Sequence, residues 1–168
     1  LYQSKVFHPG FVNIFENDKV SFFLAENQLY DSVRFKYSQL TSAKGPVYQL
    51  HPGYVPVHRS FEVKIKAPES SVNKVIHHYW NNKHDYEKAV YDNGWYKAGF
   101  RAFGNFELID DTIPPTITPV GFKNGMNTAK LKRIAFVIRD ATDELRNFRA
   151  ELDGKWLRFS NDKGRTFI

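Results

Sequence analysis

Two adjacent prolines, Pro114 and Pro115, place the firmest constraint on what this chain can become. Neither can donate to a sheet ladder and both have a fixed φ, so regular pairing has to stop there. The residues on either side favour strands. Phe106 and Leu108 share one face of an extended run with Glu107 opposite, and Thr116 to Thr118 is again β-favouring. The stretch from Phe103 to Pro119 therefore reads as the last strand of one module, a stiff joint, and the first strand of another. Extended proline segments are semi-rigid, so the joint is expected to restrict the angle between modules at 1–110 and 111–168.

Before the joint, β-favouring segments recur at roughly ten-residue intervals. Val6 to Val12 is interrupted by the turn signal His8-Pro9-Gly10, and Lys19 to Leu24 reads as a strand. Ser32 to Tyr37 alternates, with Val33, Phe35 and Tyr37 on one face. Thr41 to Pro46 reads as a loop, and the proline in Tyr54-Val55-Pro56-Val57 suggests a sheet edge. Phe61 to Lys66 is the clearest period-two strand; Val72 to Trp80 is another, ending in the polar stretch Asn81 to Asp85. Trp95 to Phe100 and Phe106 to Ile109 close the module, which is expected to be a sandwich of seven or eight strands.

After the joint, Ile134 to Ile138 is an apolar run suited to a buried strand. Thr142 to Ala150 admits two readings. Leu145, Phe148 and Leu152 have helical spacing behind a possible Thr142 cap, whereas a hairpin turning at Asp153-Gly154 is a favoured two-residue turn. The hairpin register sets 152 against 155, 150 against 157 and 148 against 159. Phe148, Ala150 and Leu152 then share a face with Leu157 and Phe159, a coherence that favours the hairpin. Trp156 is expected on the opposite face beside Glu151, near Arg149 and Arg158. The fold class is all-β: two tandem immunoglobulin/fibronectin-III-like β-sandwich modules, the second small or truncated.

Hydrophobic residues make up 42% of the chain and aromatic residues 16%, enough for a packed core rather than disorder. The net charge of +6 is spread without a run of like charge, which reads as a solvated surface and not a nucleic-acid partner site. With no cysteine there is neither a disulfide framework nor a thiolate site. No apolar run approaches the ~20 residues needed to cross a bilayer. Leu1 is not an initiator methionine and no charged and apolar leader follows it, so the chain reads as an excised piece with any targeting signal upstream.

Candidate chemistry is sparse. His77, His78 and His84 fall in one segment, but on a strand His77 and His78 point to opposite faces, and no HExxH or His-x-His spacing occurs. They read as surface histidines of a strand and loop, as do His8, His51 and His58 beside turn residues. Asp140, Asp143, Glu144 and Asp153 offer oxygens to calcium, yet without an EF-hand pattern they read as solvated loop acids. No nucleophile elbow, phosphate loop or dinucleotide fingerprint is present. Ser160 to Phe167 matches the Asp-box pattern Ser-x-Asp-x-Gly-x-Thr-aromatic, whose aspartate, serine and glycine tie down a turn; one copy builds no propeller. The binding candidates are Trp80, next to a polar loop, and Trp156, either of which can stack on a sugar or a partner surface. Packing in a core or edge is the ordinary fate of tryptophan and the competing reading for both. No catalytic residue, cofactor or metal ligand is assigned.

The order of several short motifs resembles one family. They are Phe22 to Asp31, with Ala25-Glu26-Asn27-Gln28-Leu29-Tyr30-Asp31 at its centre, then Val55-Pro56-Val57-His58, Gly94-Trp95 and Phe103-Gly104-Asn105-Phe106. Asp111 to Ile117, Ile138-Arg139-Asp140 and Leu152 to Trp156 complete the series. Together they resemble the C-terminal β-modules of lysostaphin-type zinc metallopeptidases from Bacteroidetes-like bacteria, over nearly the whole chain. One departure is Asp143-Glu144-Leu145, where relatives tend to carry Ser-Gly-Ile after the aspartate. The resemblance implies a peptidoglycan-cleaving parent in the periplasm, at the cell surface or secreted, with its catalytic domain upstream in the same polypeptide. The His-x-x-x-Asp and His-x-His patterns that hold zinc in such enzymes are absent, so this chain is expected to be non-enzymatic. Its expected role is to position the peptidase on a wall or protein partner; a carbohydrate-binding module using exposed aromatics is the alternative.

Overall fold

The computed structural model describes residues 3–112, 114–140, 149–162 and 166–167. The chain divides into two compact units, Leu1–Thr112 and Ile113–Ile168. All described regular structure is β, and no helix occurs among the described residues.

Unit 1 contains β1 (Gln3–Phe7), β2 (Asn13–Glu16), β3 (Val20–Leu24), β4 (Val33–Ser42), β5 (Gly45–Leu50) and β6 (Pro56–Lys66). It continues with β7 (Lys74–Trp80), β8 (Lys83–Lys88), β9 (Val90–Asp92), β10 (Trp95–Ala102) and β11 (Gly104–Asp110). They form two antiparallel sheets, ordered β1-β4-β5-β11-β7-β8 and β2-β3-β6-β10-β9. Both sheets face one core, the layering of a β-sandwich.

That core is dominated by phenylalanine because the period-two positions of facing strands are filled with it. Phe7 stacks on Phe35 with centroids 4.8 Å apart within one sheet, while Phe22 of the other sheet meets Phe35 at 5.3 Å and Phe61 at 5.5 Å. Phe100 and Phe106 pair across the sheets at 5.1 Å. The alternation expected from Phe61 to Lys66 is present in β6, where Phe61, Val63 and Ile65 are buried.

Several sequence expectations need correction. The described residues of unit 1 form eleven strands, not seven or eight. The turn expected at His8-Pro9-Gly10 is present, and it carries the chain from one sheet to the other. β1 ends at Phe7, and Asn13 opens β2 after its side chain has bonded His8 N, His8 O and Phe11 O at 2.8–2.9 Å. Thr41 to Pro46 is no loop: β4 and β5 pair down to Ser42 and Gly45, leaving a two-residue turn. Pro56 does not mark a sheet edge. β6 lies between β3 and β10, and Pro56 is tolerated because it is the first residue of the strand. The polar stretch after Trp80 turns at Asn81, whose φ is +53°, and returns as β8.

The expectation of surface histidines holds at three positions and fails at three. His51, His77 and His78 are buried, 6–8% exposed, whereas His8, His58 and His84 are exposed. In β7 four consecutive residues, Val75 to His78, are buried, and on the outer face His77 is covered by the rings of Tyr79, His84 and Tyr86. A period-two reading assumes one wet face and so misplaces His77.

Unit 2 contains β12 (Thr116–Val120), β13 (Ala135–Arg139), β14 (Ala150–Leu152), β15 (Lys155–Leu157), β16 (Asn161–Asp162) and β17 (Thr166–Phe167). Its sheets are ordered β12-β13-β17-β16 and β14-β15. β14 and β15 pair Ala150 with Leu157 and Leu152 with Lys155, the expected register, around Asp153 and Gly154 at φ +50° and +76°. Such positive angles at both central residues define the tight type I′ turn that Asp-Gly favours. Leu152 of the expected apolar face is 59% exposed, and the proposed 148–159 pair lies outside the described residues. The helical alternative for 142–150 also falls mainly outside them, as does the centre of the Asp-box, although its flanks pair as β16 and β17.

Candidate functional site

The turn after β3 and the first residues of β6 build one depression on unit 1. Gln28, buried at 7% exposure, ties the two segments together. Its side chain accepts from Ala25 N at 2.8 Å and donates to Ser60 O at 3.0 Å, while its carbonyl accepts from His58 N at 2.9 Å. Leu29 bridges Val57 beside it. Asn27 supplies the φ of +61° that the turn requires, a conformation asparagine tolerates better than most residues.

Glu26, Asn27, Tyr30, His58 and Arg59 line the resulting depression of about 450 Å³. Tyr30 Oη and His58 Nδ1 are hydrogen-bonded at 2.8 Å, with the rings edge to face at 5.6 Å. The volume suits a small ligand or the end of a larger one. The lining offers a planar cationic fork, a carboxylate, an amide and a phenol-imidazole pair, but no serine, threonine or cysteine. Sequence reasoning quoted four of these residues, Glu26, Asn27, Tyr30 and His58, as parts of two motifs. It had no means of bringing them together, because their meeting depends on the Gln28 tie.

A second polar constellation lies on the outer face of the six-stranded sheet. His77 Nδ1 bonds Glu107 Oε1 at 2.8 Å, Ser42 Oγ donates to Glu107 Oε2 at 3.0 Å, and His77 Nε2 meets His84 Nδ1 at 2.9 Å. Both His77 and Glu107 are buried, and this pairing is what makes their burial tolerable. The order of groups is wrong for nucleophile activation: the serine bonds the acid rather than the imidazole, so no base sits on its hydroxyl. Tyr86, His77, Tyr79 and His84 stand ring against ring, Tyr86 and His77 at 4.3 Å and 3°. Their faces are spent on one another. Burial and then the Glu107 charge push the Tyr79 hydroxyl pKa up.

Among the described residues, no three metal-ligating side chains converge. Of the four acids considered for calcium, Asp143 and Glu144 lie outside the described residues, and Asp153 is an exposed turn residue.

Residues 4–111 match the family model of the Zu5-like domain, which is more than half of the chain. The chain belongs to the Zu5-like domain family. The match falls within unit 1, so the Zu5-like domain carries both the depression and the histidine cluster. No curated protein matches the chain.

The two tryptophan candidates part company. Trp80, in the Zu5-like domain, is half-buried and packs edge to face with the exposed Tyr54 at 6.3 Å. Gly53 lies against it so closely that a Cβ there would sit 2.5 Å from Trp80 Cγ and 2.7 Å from Phe103 O. Gly53→Ala is therefore expected to destabilise by roughly 1–3 kcal/mol and to shift tryptophan emission; unchanged stability and emission would disprove the contact. Trp156 lies beyond the matched residues, opposite Glu151 and 65% exposed.

Proposed function

We propose that this chain is a non-catalytic accessory region of a cell-envelope metallopeptidase of lysostaphin type. In this reading its units are tandem immunoglobulin/fibronectin-III-like modules that act in the periplasm, at the cell surface or after secretion. They hold an upstream catalytic domain against a wall or protein partner. One observation carries the proposal: Glu26, Asn27, Tyr30 and His58, from two motifs of the resemblance, meet at one braced depression. Motif residues needed only for packing would be buried, yet these four are exposed. Exposed side chains held in place by a buried tie suit recognition.

The test is co-sedimentation of the folded chain with purified bacterial cell wall, alongside the Tyr30→Ala/Arg59→Ala double variant. Wall binding that falls at least tenfold in the variant is the expected result. Equal sedimentation of both proteins would remove the depression from the function, and no sedimentation of either would remove the wall.

Carbohydrate binding through aromatic residues is the second reading, favoured by the 65% exposure of Trp156. Titration of soluble glycan fragments against tryptophan emission separates the two. A saturating response lost in Trp156→Ala supports it, and a silent titration of folded protein counts against it.

A further inference from the structure

Glu26 and Arg59 line the same depression, yet neither approaches an opposite charge within 4.0 Å among the described residues. Neither takes part in a side-chain hydrogen bond there either. A carboxylate and a guanidinium that share a cavity while leaving each other unpaired retain their full capacity for a ligand's charges. A purely anionic ligand would be repelled by Glu26, and a purely cationic one by Arg59.

We propose that this depression recognises a compact zwitterion: a free amino acid, or a peptide end whose terminal residue bears the opposite charge on its side chain. The inference rests on the reading of this chain as a binding module and names the ligand chemistry of its depression. Arg59 takes the carboxylate through its planar fork and Glu26 takes the ammonium. The Tyr30 ring, two-thirds exposed, covers the aliphatic portion between them. The Tyr30–His58 hydrogen bond fixes that ring, and the Gln28 tie fixes the turn bearing Glu26 against the strand bearing Arg59. Both charges are displayed on a pre-ordered frame, so little side-chain ordering opposes binding beyond that of Arg59 and Glu26 themselves.

The experiment is a set of titrations of isotope-labelled full chain followed by amide chemical shifts. The probes are alanine, N-acetylalanine, alaninamide and N-acetylglucosamine. The expected result is saturable shifts at Tyr30, His58 and Arg59 with alanine, with affinity at least tenfold weaker for N-acetylalanine and alaninamide. Arg59→Ala should abolish the alanine response, and Glu26→Gln should make alanine and N-acetylalanine indistinguishable. Saturation by N-acetylglucosamine at these residues would overturn the zwitterion while leaving the binding-module reading intact. No shift with any probe, from a protein that still sediments with wall, would do the same. Silence with every probe and with wall would overturn both.

Discussion

Replacing Phe103 with alanine is expected to lower the unfolding free energy by roughly 3–5 kcal/mol. Phe103 sits between β10 and β11 with no exposed surface. Its ring meets Phe61 and His51 at 5.5 Å, Phe22 at 6.1 Å and Phe35 at 6.3 Å, so it touches both sheets and the β5–β6 connection at once. Removing it leaves a cavity that four rigid rings cannot close by small movements. The backbone at that point is also committed, since Phe103 O accepts from His78 Nε2 at 3.0 Å. A domain of this size has a total stability of about 5–15 kcal/mol, so the variant will stand near the limit of folding at 37 °C. Urea unfolding measures the loss. Phe103→Leu, expected to cost about 1–2 kcal/mol, keeps the comparison measurable if the alanine variant fails to fold. Trp156→Ala, at an exposed site, is expected to stay within about 0.5 kcal/mol of the parent. A Phe103→Leu variant as stable as the parent would contradict the central position given to this ring.

The second large effect is acid lability originating at His51. Burial, and then the positive charge of Lys36, lowers its pKa to about 4 from the ordinary 6.5. Its Nδ1 has no hydrogen-bond partner among the described residues, which fits a ring held neutral in the native state. The unfolded chain takes up a proton as pH falls through about 6.5, while the folded chain does not until about 4. Between these values the unfolded state binds more protons, so stability falls on acidification. The contribution is complete above the unfolded pKa and spent below the folded one, a difference of up to about 3 kcal/mol. His78, lowered by burial against the opposing hydrogen bond to Phe103 O, adds in the same direction. His51→Asn is the informative variant. Asparagine tolerates the φ of +58° at this position and does not titrate. Surface carboxylates titrate in both proteins, so the difference between the two stability–pH curves isolates the imidazole. The curves are expected to converge as pH drops from 7 to 4.5; curves that remain parallel would refute the assignment.

Legibility in the sequence followed the physics of each element. β6, β10 and the first half of β4 were readable because one face is buried and the other wet, so side-chain chemistry alternates with the pleat. The Asp153-Gly154 hairpin was readable because only a few residue pairs adopt two consecutive positive φ values at low cost. His77 was not, since its burial depends on Glu107, which is 30 residues away in sequence and reaches it only across the β7–β11 pairing. The depression was half-legible. Four of its five lining residues stood out as motif members and Arg59 did not, while the tie from Gln28 to Ser60 spans 32 residues and leaves no local pattern.

β8 was the least legible strand of all: Lys83-His84-Asp85-Tyr86-Glu87-Lys88 contains no aliphatic side chain. Among the described residues it also forms one edge of the six-stranded sheet. An edge of that kind invites a strand from a neighbouring molecule, and lysines at an edge oppose such an addition through the cost of desolvating them. Lys83 and Lys88 stand at the two ends of β8 with acids between them. The polarity that concealed this strand thus acts as a guard on solubility, allowing six strands in the sheet while discouraging a seventh from another copy of the chain.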